Sequence, residues 1–403
     1  MNSKCTIIPA GGITSPRGFR AAGVACGLKK TGRDLMLLVT ERECSAAGVF
    51  TRSVFKAAPV VFSNRRVKAG RAQAIVINAG IANACTGVEG MARCEQMSAV
   101  VAATAQVEEE LVLVCSTGVI GRQLPMDKVN FGIVAAVAEL SSDGGANAAL
   151  AIMTTDTHPK EIAIEVNTSA GIVRVGGMAK GSGMIAPNMA TMLSVLTTDA
   201  QINPQTLQSA LTNAVNRSFN RVTVDGDTST NDTVLLLASG VTGIRLEQGT
   251  EDFAAFECAL RQVCETLAKE IARDGEGATK LVEVRVNGAV DEASATTIAK
   301  TIANSPLVKT ALFGNDPNWG RILAAAGRAG VCFNAEKVDL DLAGIPVVRA
   351  GEPLPFDKDA ASNAMKVKEL TIELTLGEGE ARAIVWTCDF SYEYVKINAD
   401  YTT

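Results

Sequence analysis

Residues Thr233–Ala238 read Thr-Val-Leu-Leu-Leu-Ala, six positions with no polar side chain after the first, set between two polar stretches. The run is short for a helix, and its lack of alternation leaves no face for water. It therefore predicts a strand covered on both sides. Such a strand needs packed layers above and below it, which points to mixed α and β structure.

The rest of the chain is consistent with that class. Short β-rich runs at 35–40, 58–62, 74–78 and 111–115 predict strands, and 161–166 with 172–175 predict a hairpin around Ala170-Gly171. Helices are expected at 90–105 and, after Pro125, at 126–140. Asn203 before Pro204 is an N-cap followed by a first-turn proline, and Leu207, Leu211, Val215 and Phe219 then fall on one stripe. Phe253, Phe256, Leu260, Val263, Leu267 and Ile271 recur at spacings of three and four, with Glu251 and Asp252 at the positive end of the helix dipole. Three more strands are expected near 369–376, 382–387 and 391–397. No repeat, charge block or Pro/Ser-rich linker marks a boundary, so the 403 residues predict one interwoven body or two closely packed halves.

Counts narrow the chemistry. Lys plus Arg number 38 against 43 Asp plus Glu, a net charge of −5, and only 12 Phe, 3 Tyr and 2 Trp are available to stack on bases, so nucleic acid is not the expected partner. No apolar run approaches the roughly 18 residues of a membrane helix, and the first twelve residues contain no apolar signal core, so a cytoplasmic protein is expected. The ten cysteines include no C-x-x-C pair, which indicates neither a zinc ribbon nor a redox dithiol. There is one histidine, His158. A multi-histidine metal site is thereby excluded, and a histidine-based nucleophile would have to use this residue.

Three polar segments are candidates for function. Gly181-Ser182-Gly183-Met184-Ile185-Ala186 fits the letters of a dinucleotide fingerprint, but Pro187-Asn188 follows where a helix should open, so no nicotinamide or flavin site is expected. Residues 225–232, from Asp225 through Asp227 to Asp232, are eight consecutive turn-formers. They suit a surface turn, a cation loop lacking the glutamate that completes an EF-hand, or an active-site wall. The third segment runs from Lys180 to Leu193 and contains Thr191. By itself it is a loop leading into a strand. A threonine hydroxyl can nevertheless act as a nucleophile if a base is at hand, and an α-amino group, with a reference pKa of about 7.7–8.0, is such a base. Cutting the chain before Thr191 would supply it.

Lys180 to Leu193 together with Asn78-Ala79-Gly80-Ile81-Ala82-Asn83-Ala84-Cys85-Thr86-Gly87, Cys115-Ser116-Thr117-Gly118-Val119-Ile120-Gly121, Met153-Thr154-Thr155-Asp156-Thr157, residues 225–232 and Gly314-Asn315-Asp316-Pro317-Asn318-Trp319-Gly320-Arg321 resembles the ornithine acetyltransferase (glutamate N-acetyltransferase) family of arginine biosynthesis. The motifs occur in order across nearly the whole chain. The resemblance implies an α/β layered sandwich, two central sheets flanked by helices, of the N-terminal-nucleophile type. It also implies self-cleavage between Ala190 and Thr191, giving chains 1–190 and 191–403 that stay together, two of each in a heterotetramer.

The implied reaction is acetyl transfer from N-acetylornithine to glutamate by a ping-pong route, with acetyl-CoA a further donor for some members, and with no metal or bound cofactor. Thr191 would be the nucleophile, Thr117 and Gly118 the oxyanion hole, and Thr154, Lys180, Thr191, Glu276, Asn398 and Thr403 the substrate-binding positions. Lys180 suits an α-carboxylate and Glu276 an ammonium group. A self-cleaving aminopeptidase or amidase would use the same nucleophile but pass the acyl group to water, and a non-enzymatic binding protein would stay uncut.

Overall fold

The structure, a computed structural model, describes residues 4–186 and 192–400. Among these, nine strands form one sheet: β1 (Cys5–Ile8), β2 (Phe19–Val24), β3 (Leu35–Phe50), β4 (Arg71–Ile81), β5 (Val112–Val119), β6 (Lys160–Thr168), β7 (Gly171–Lys180), β8 (Leu193–Thr198) and β9 (Thr233–Ala238). Their spatial order is β1-β6-β7-β8-β9-β3-β4-β5, with β2 added to β3. Six strands form a second sheet: β10 (Leu281–Ala289), β11 (Asp339–Leu342), β12 (Ile345–Arg349), β13 (Glu352–Pro353), β14 (Glu369–Thr375) and β15 (Ala381–Cys388), in the order β13-β12-β11-β14-β10-β15. Helices α1 (Ala58–Val67), α2 (Gly87–Ala105), α3 (Met126–Ala138), α4 (Gly145–Ile152), α5 (Pro204–Asn216) and α6 (Glu251–Arg273) pack on the first sheet. The second carries α7 (Glu292–Ala303), with α8 (Pro306–Phe313), α9 (Trp319–Gly327) and α10 (Lys358–Ala364) following in the chain before α11 (Tyr392–Asp400). Two sheets flanked by helices is the expected class.

The apolar run at β9 behaves as its sequence demands. Val234 and Leu236 join one buried cluster while Leu235 and Leu237 join another on the opposite face. The cluster that takes Val234 also takes the stripes of α5 and α6, so Leu211, Val215, Phe256, Leu260, Val263 and Ile271 are buried there. Each such side chain withdrawn from water contributes about 1.5–3 kcal/mol. Helix α5 begins where expected, the Asn203 side chain accepting from Thr206 N at 2.8 Å, and Thr250 caps α6 by accepting from Phe253 N at 3.2 Å. Helix α6 touches β6 and β7 of the first sheet and β10 and β15 of the second. It therefore joins the two cores, and the absence of a boundary in composition follows from that shared helix.

Two expected strands are helices. Residues 58–62 open α1, because Ala57 is extended and Pro59 presets the first turn, and the buried positions Val60, Ser63 and Val67 then follow helical spacing. A four-residue apolar run fits either period, and the caps decide. Residues 391–397 alternate like a strand but form α11, whose tyrosines pack by ring contacts: Tyr394 stacks on Phe390 with centroids 4.6 Å apart, and Tyr392 meets Phe313 edge-on at 5.5 Å.

Candidate active site

A cavity of about 290 Å³ opens where the C-terminal ends of β5 and β7, the start of β8, the loop before β9, the α6–β10 loop and α11 converge. Six expected site residues line it together: Thr117, Gly118, Thr154, Lys180, Glu276 and Asn398. Ala190, Thr191 and Thr403 lie outside the described residues. Met192, the residue after Thr191, lines the cavity, as do Asp225, Asp227 and Asp232. The polar segment 225–232 is thus a wall of this cavity, the third of its three readings. His158 is not among the lining residues.

Backbone geometry accounts for the glycines. Gly118 ends β5 with φ +124°, and a Cβ there would come within 2.3 Å of the Gly80 backbone on the neighbouring β4. The side chain is absent because two backbones meet, and the N–H beside Thr117 is left unhindered. Gly183 has a different reason: a Cβ would lie 2.3 Å from Glu276 Oε2, so the carboxylate occupies that space.

The loops are tied by carboxylates and amides. Asp225 accepts from Met184 N at 2.6 Å and from Ile185 N at 2.8 Å, holding the glycine-rich segment against the wall. The Asn231 amide donates to Ala82 O at 2.6 Å and Ser116 O at 2.8 Å, tying the wall to the end of β5. Glu276 is placed by its own N–H, which donates to Ser182 O at 2.8 Å, and its Oε2 accepts from Asn398 Nδ2 at 2.9 Å. In α11 the same Nδ2 donates to Tyr394 O, one turn earlier. Helix α11 is therefore part of the cavity wall, through Tyr394 and Asn398.

Behind Lys180 lies a buried chain of charges. Lys180 Nζ is 3.9 Å from Asp156 Oδ2. Asp156 Oδ1 accepts from Lys160 Nζ at 2.8 Å and from Gly181 N at 2.6 Å, and Lys160 Nζ also reaches Asp274 Oδ2 at 2.6 Å. Burial alone would push the Asp156 carboxyl up, but Lys180, Lys160 and the Gly181 N–H outweigh it and hold the group well below the usual carboxylate range. Burial lowers Lys180, against the pull of Asp156. His158 stands at the outer end, 42% exposed, its ring 3.5 Å from Asp274 and 3.4 Å from Glu270. Asp156 lay inside a motif quoted above, yet its role was not foreseen, because Lys160 and Asp274 reach it only through the fold.

The arrangement offers hydrogen-bond donors at Thr117 and Gly118, a cation at Lys180 and an anion at Glu276. Such a set of groups can bind a zwitterionic amino-acid frame, with Thr117 and Gly118 free to donate to a further polar group.

The ArgJ family model matches residues 20–403. The arginine biosynthesis bifunctional protein ArgJ of Symbiobacterium thermophilum is 51% identical over 398 residues, covering 98% of this chain and 99% of its own. That of a Synechococcus species is 49% identical over 406 residues, covering 98% of each. A crystal structure of the Bacillus halodurans protein of the same name, 46% identical, superposes with a TM-score of 0.50 on 51% of this chain and 97% of its own.

Proposed function

Because the chain belongs to the ArgJ family, we propose that it performs the bifunctional chemistry for which its relatives are named, transferring acetyl from N-acetylornithine to glutamate and also making N-acetylglutamate from acetyl-CoA. The observation that carries this reading is the convergence of Thr117, Gly118, Thr154, Lys180, Glu276 and Asn398 on one cavity that Met192 also lines. Thr191 is the nucleophile. Its hydroxyl attacks the acetyl carbonyl, its own amine takes the hydroxyl proton, and the tetrahedral oxyanion is held by the Thr117 hydroxyl and the Gly118 N–H. Lys180 holds the substrate α-carboxylate and Glu276 its side-chain ammonium, while Thr154, Asn398 and Thr403 hydrogen-bond the remaining frame.

The amine is freed by self-cleavage between Ala190 and Thr191. Strands on both sides of that bond belong to one sheet, with β8 paired to β7 and β9 to β3, so chains 1–190 and 191–403 remain interlocked. The crystallised Bacillus halodurans chain, about half the length of this one, has the length such a cut leaves. Two copies of each chain form the assembly. No helix among the described residues is long and apolar enough to cross a membrane. Independently of that, the cytoplasm is the compartment proposed for the enzyme.

Incubating the cut enzyme with N-acetylornithine alone is expected to leave one acetyl group on the 191–403 chain, read by intact mass. Initial-rate lines for donor and acceptor should then run parallel. Intersecting lines with no acetylated chain would mean direct transfer. An amidase would hydrolyse N-acetylornithine equally well with and without glutamate and form no acetylglutamate.

Thr117→Ala removes one oxyanion donor and is expected to lower kcat by about 10²–10³, with little change in donor binding. Unchanged turnover would take Thr117 out of the mechanism.

A further inference from the structure

Acetyl transfer between two amines moves a proton as well as an acetyl group. Ornithine leaves and glutamate arrives as ammonium ions at neutral pH, whereas the amide nitrogen of N-acetylornithine carries one hydrogen that does not titrate. When the acetyl C–N bond breaks and the C–Oγ bond to Thr191 forms, the hydroxyl proton passes through the terminal amine to the leaving nitrogen. That makes a neutral amine, one proton short of ammonium. In the second half the incoming ammonium must lose a proton before it can attack, and a further one returns to Oγ as the ester opens. One proton is therefore given out in the first half-reaction and recovered in the second.

We propose that Asp232 stores this proton, its carboxyl donating to the departing ornithine nitrogen and the resulting carboxylate taking the proton back from the glutamate ammonium. The proposal rests on the acetyl-enzyme reading above.

Asp232 lines the cavity, is 1% exposed, and its Oδ2 has no hydrogen-bond partner among the described residues. An orphaned buried carboxylate oxygen is costly, and its retention needs a reason. The position is fixed from both sides. Asn231 ties the preceding residue to Ser116, beside Thr117, and Thr233 N donates to Met192 O at 3.0 Å, beside the nucleophile. Its own carbonyl accepts from Thr51 N at 3.0 Å. Residue 232 thus sits between a segment tied beside Thr117 and one tied to the residue that follows Thr191, and it lines the same cavity as Thr117, Gly118 and Met192.

The groups facing it are the Ser229 and Thr51 hydroxyls, the Lys180 ammonium and the Met192 backbone. All favour the carboxylate, yet burial outweighs them and pushes the carboxyl well above its ordinary value, the direction that a proton store requires. Of the cavity's other acids, Asp225 accepts from the Met184 and Ile185 N–H groups, Glu276 accepts from Asn398, and Asp227 is exposed. Asp156, behind the wall, is held ionised by two lysines.

The test uses Asp232→Asn, which keeps the shape and cannot ionise. Its acetyl-enzyme, loaded by long incubation with N-acetylornithine, is expected to transfer to glutamate on the order of a hundredfold more slowly than wild type at neutral pH. Hydroxylamine, an acceptor already uncharged at that pH, should empty it at the wild-type rate. Equal slowing with both acceptors marks a distorted site and overturns the proposal, as does wild-type transfer to glutamate.

If the variant yields no cut protein, the wild type decides. A single loading turnover in weakly buffered indicator solution should take up no proton per acetyl group, because Asp232 supplies it. Uptake of one proton from solvent overturns the store. Absence of any acetylated chain in the wild type would instead overturn the ping-pong reading on which the store depends.

Discussion

Thr191→Ala is expected to run as one full-length chain on a denaturing gel, where wild type gives two, and to lose acetyl transfer by at least about 10⁴-fold, the scale seen when a catalytic nucleophile is removed. Both losses have one origin. In the proposed mechanism the hydroxyl that attacks the preceding Ala190 carbonyl, through an N-to-O acyl shift followed by hydrolysis, is the one that later attacks the acetyl group. The proposed cut lies between β7 and β8, which are antiparallel neighbours in one sheet, so it would leave the two chains paired. Thr191→Ser keeps a hydroxyl and should still be cut and still transfer acetyl. An alanine variant cut like wild type would mean that an outside protease does the cutting, and the self-processing account would fall.

The parts of the fold that were legible are those where one local signal is strong. Helix α6 carries an uninterrupted stripe of six apolar positions, and β9 has no polar residue to place on a wet face. Residues 58–62 and 391–397 were misread because short apolar or alternating runs fit both periods, and their fate depends on Pro59 and on tertiary ring contacts. Much of the second sheet went unassigned, since its strand β11 spans only four residues and β13 only two.

The site shows the same division. Thr117, Lys180 and Glu276 were found through a resemblance, and composition alone would have left Glu276 as a turn residue. The polar run 225–232 announced itself but not its purpose, since wall and surface turn use the same residue types. Asp156 and Asp232 owe their states to burial and to partners supplied by distant strands. Lys160 and Ser229 are near neighbours in sequence, but the burial, Lys180 and Thr51 come only with the fold.

Lys160→Met is the sharpest test of the buried chain behind the cavity. The ammonium lies between Asp156 and Asp274 with its side chain fully buried, so removing it strands carboxylates that burial alone makes costly. The expected loss at pH 7 is about 3–5 kcal/mol, measured by denaturant unfolding in the uncut Thr191→Ala background so that a single chain unfolds. The pH dependence has a definite sign. In the native chain Asp156 is held below its unfolded value of about 3.9, so its contribution is complete above that pH and fades only as pH falls further, through the folded value. Without Lys160, burial is opposed by Lys180 and the Gly181 and Thr154 N–H groups, and the folded carboxyl rises. The deficit relative to the parent should therefore be largest at neutral pH and shrink as pH falls through that raised value. Adding Asp274→Asn removes one stranded charge and should recover part of the loss, a coupling that independent sites would not show. A deficit below about 1 kcal/mol, unchanged by pH and by the second substitution, would mean that these charges contribute no more than an exposed pair does. Lys180 would then need some other account of what holds it at the cavity wall.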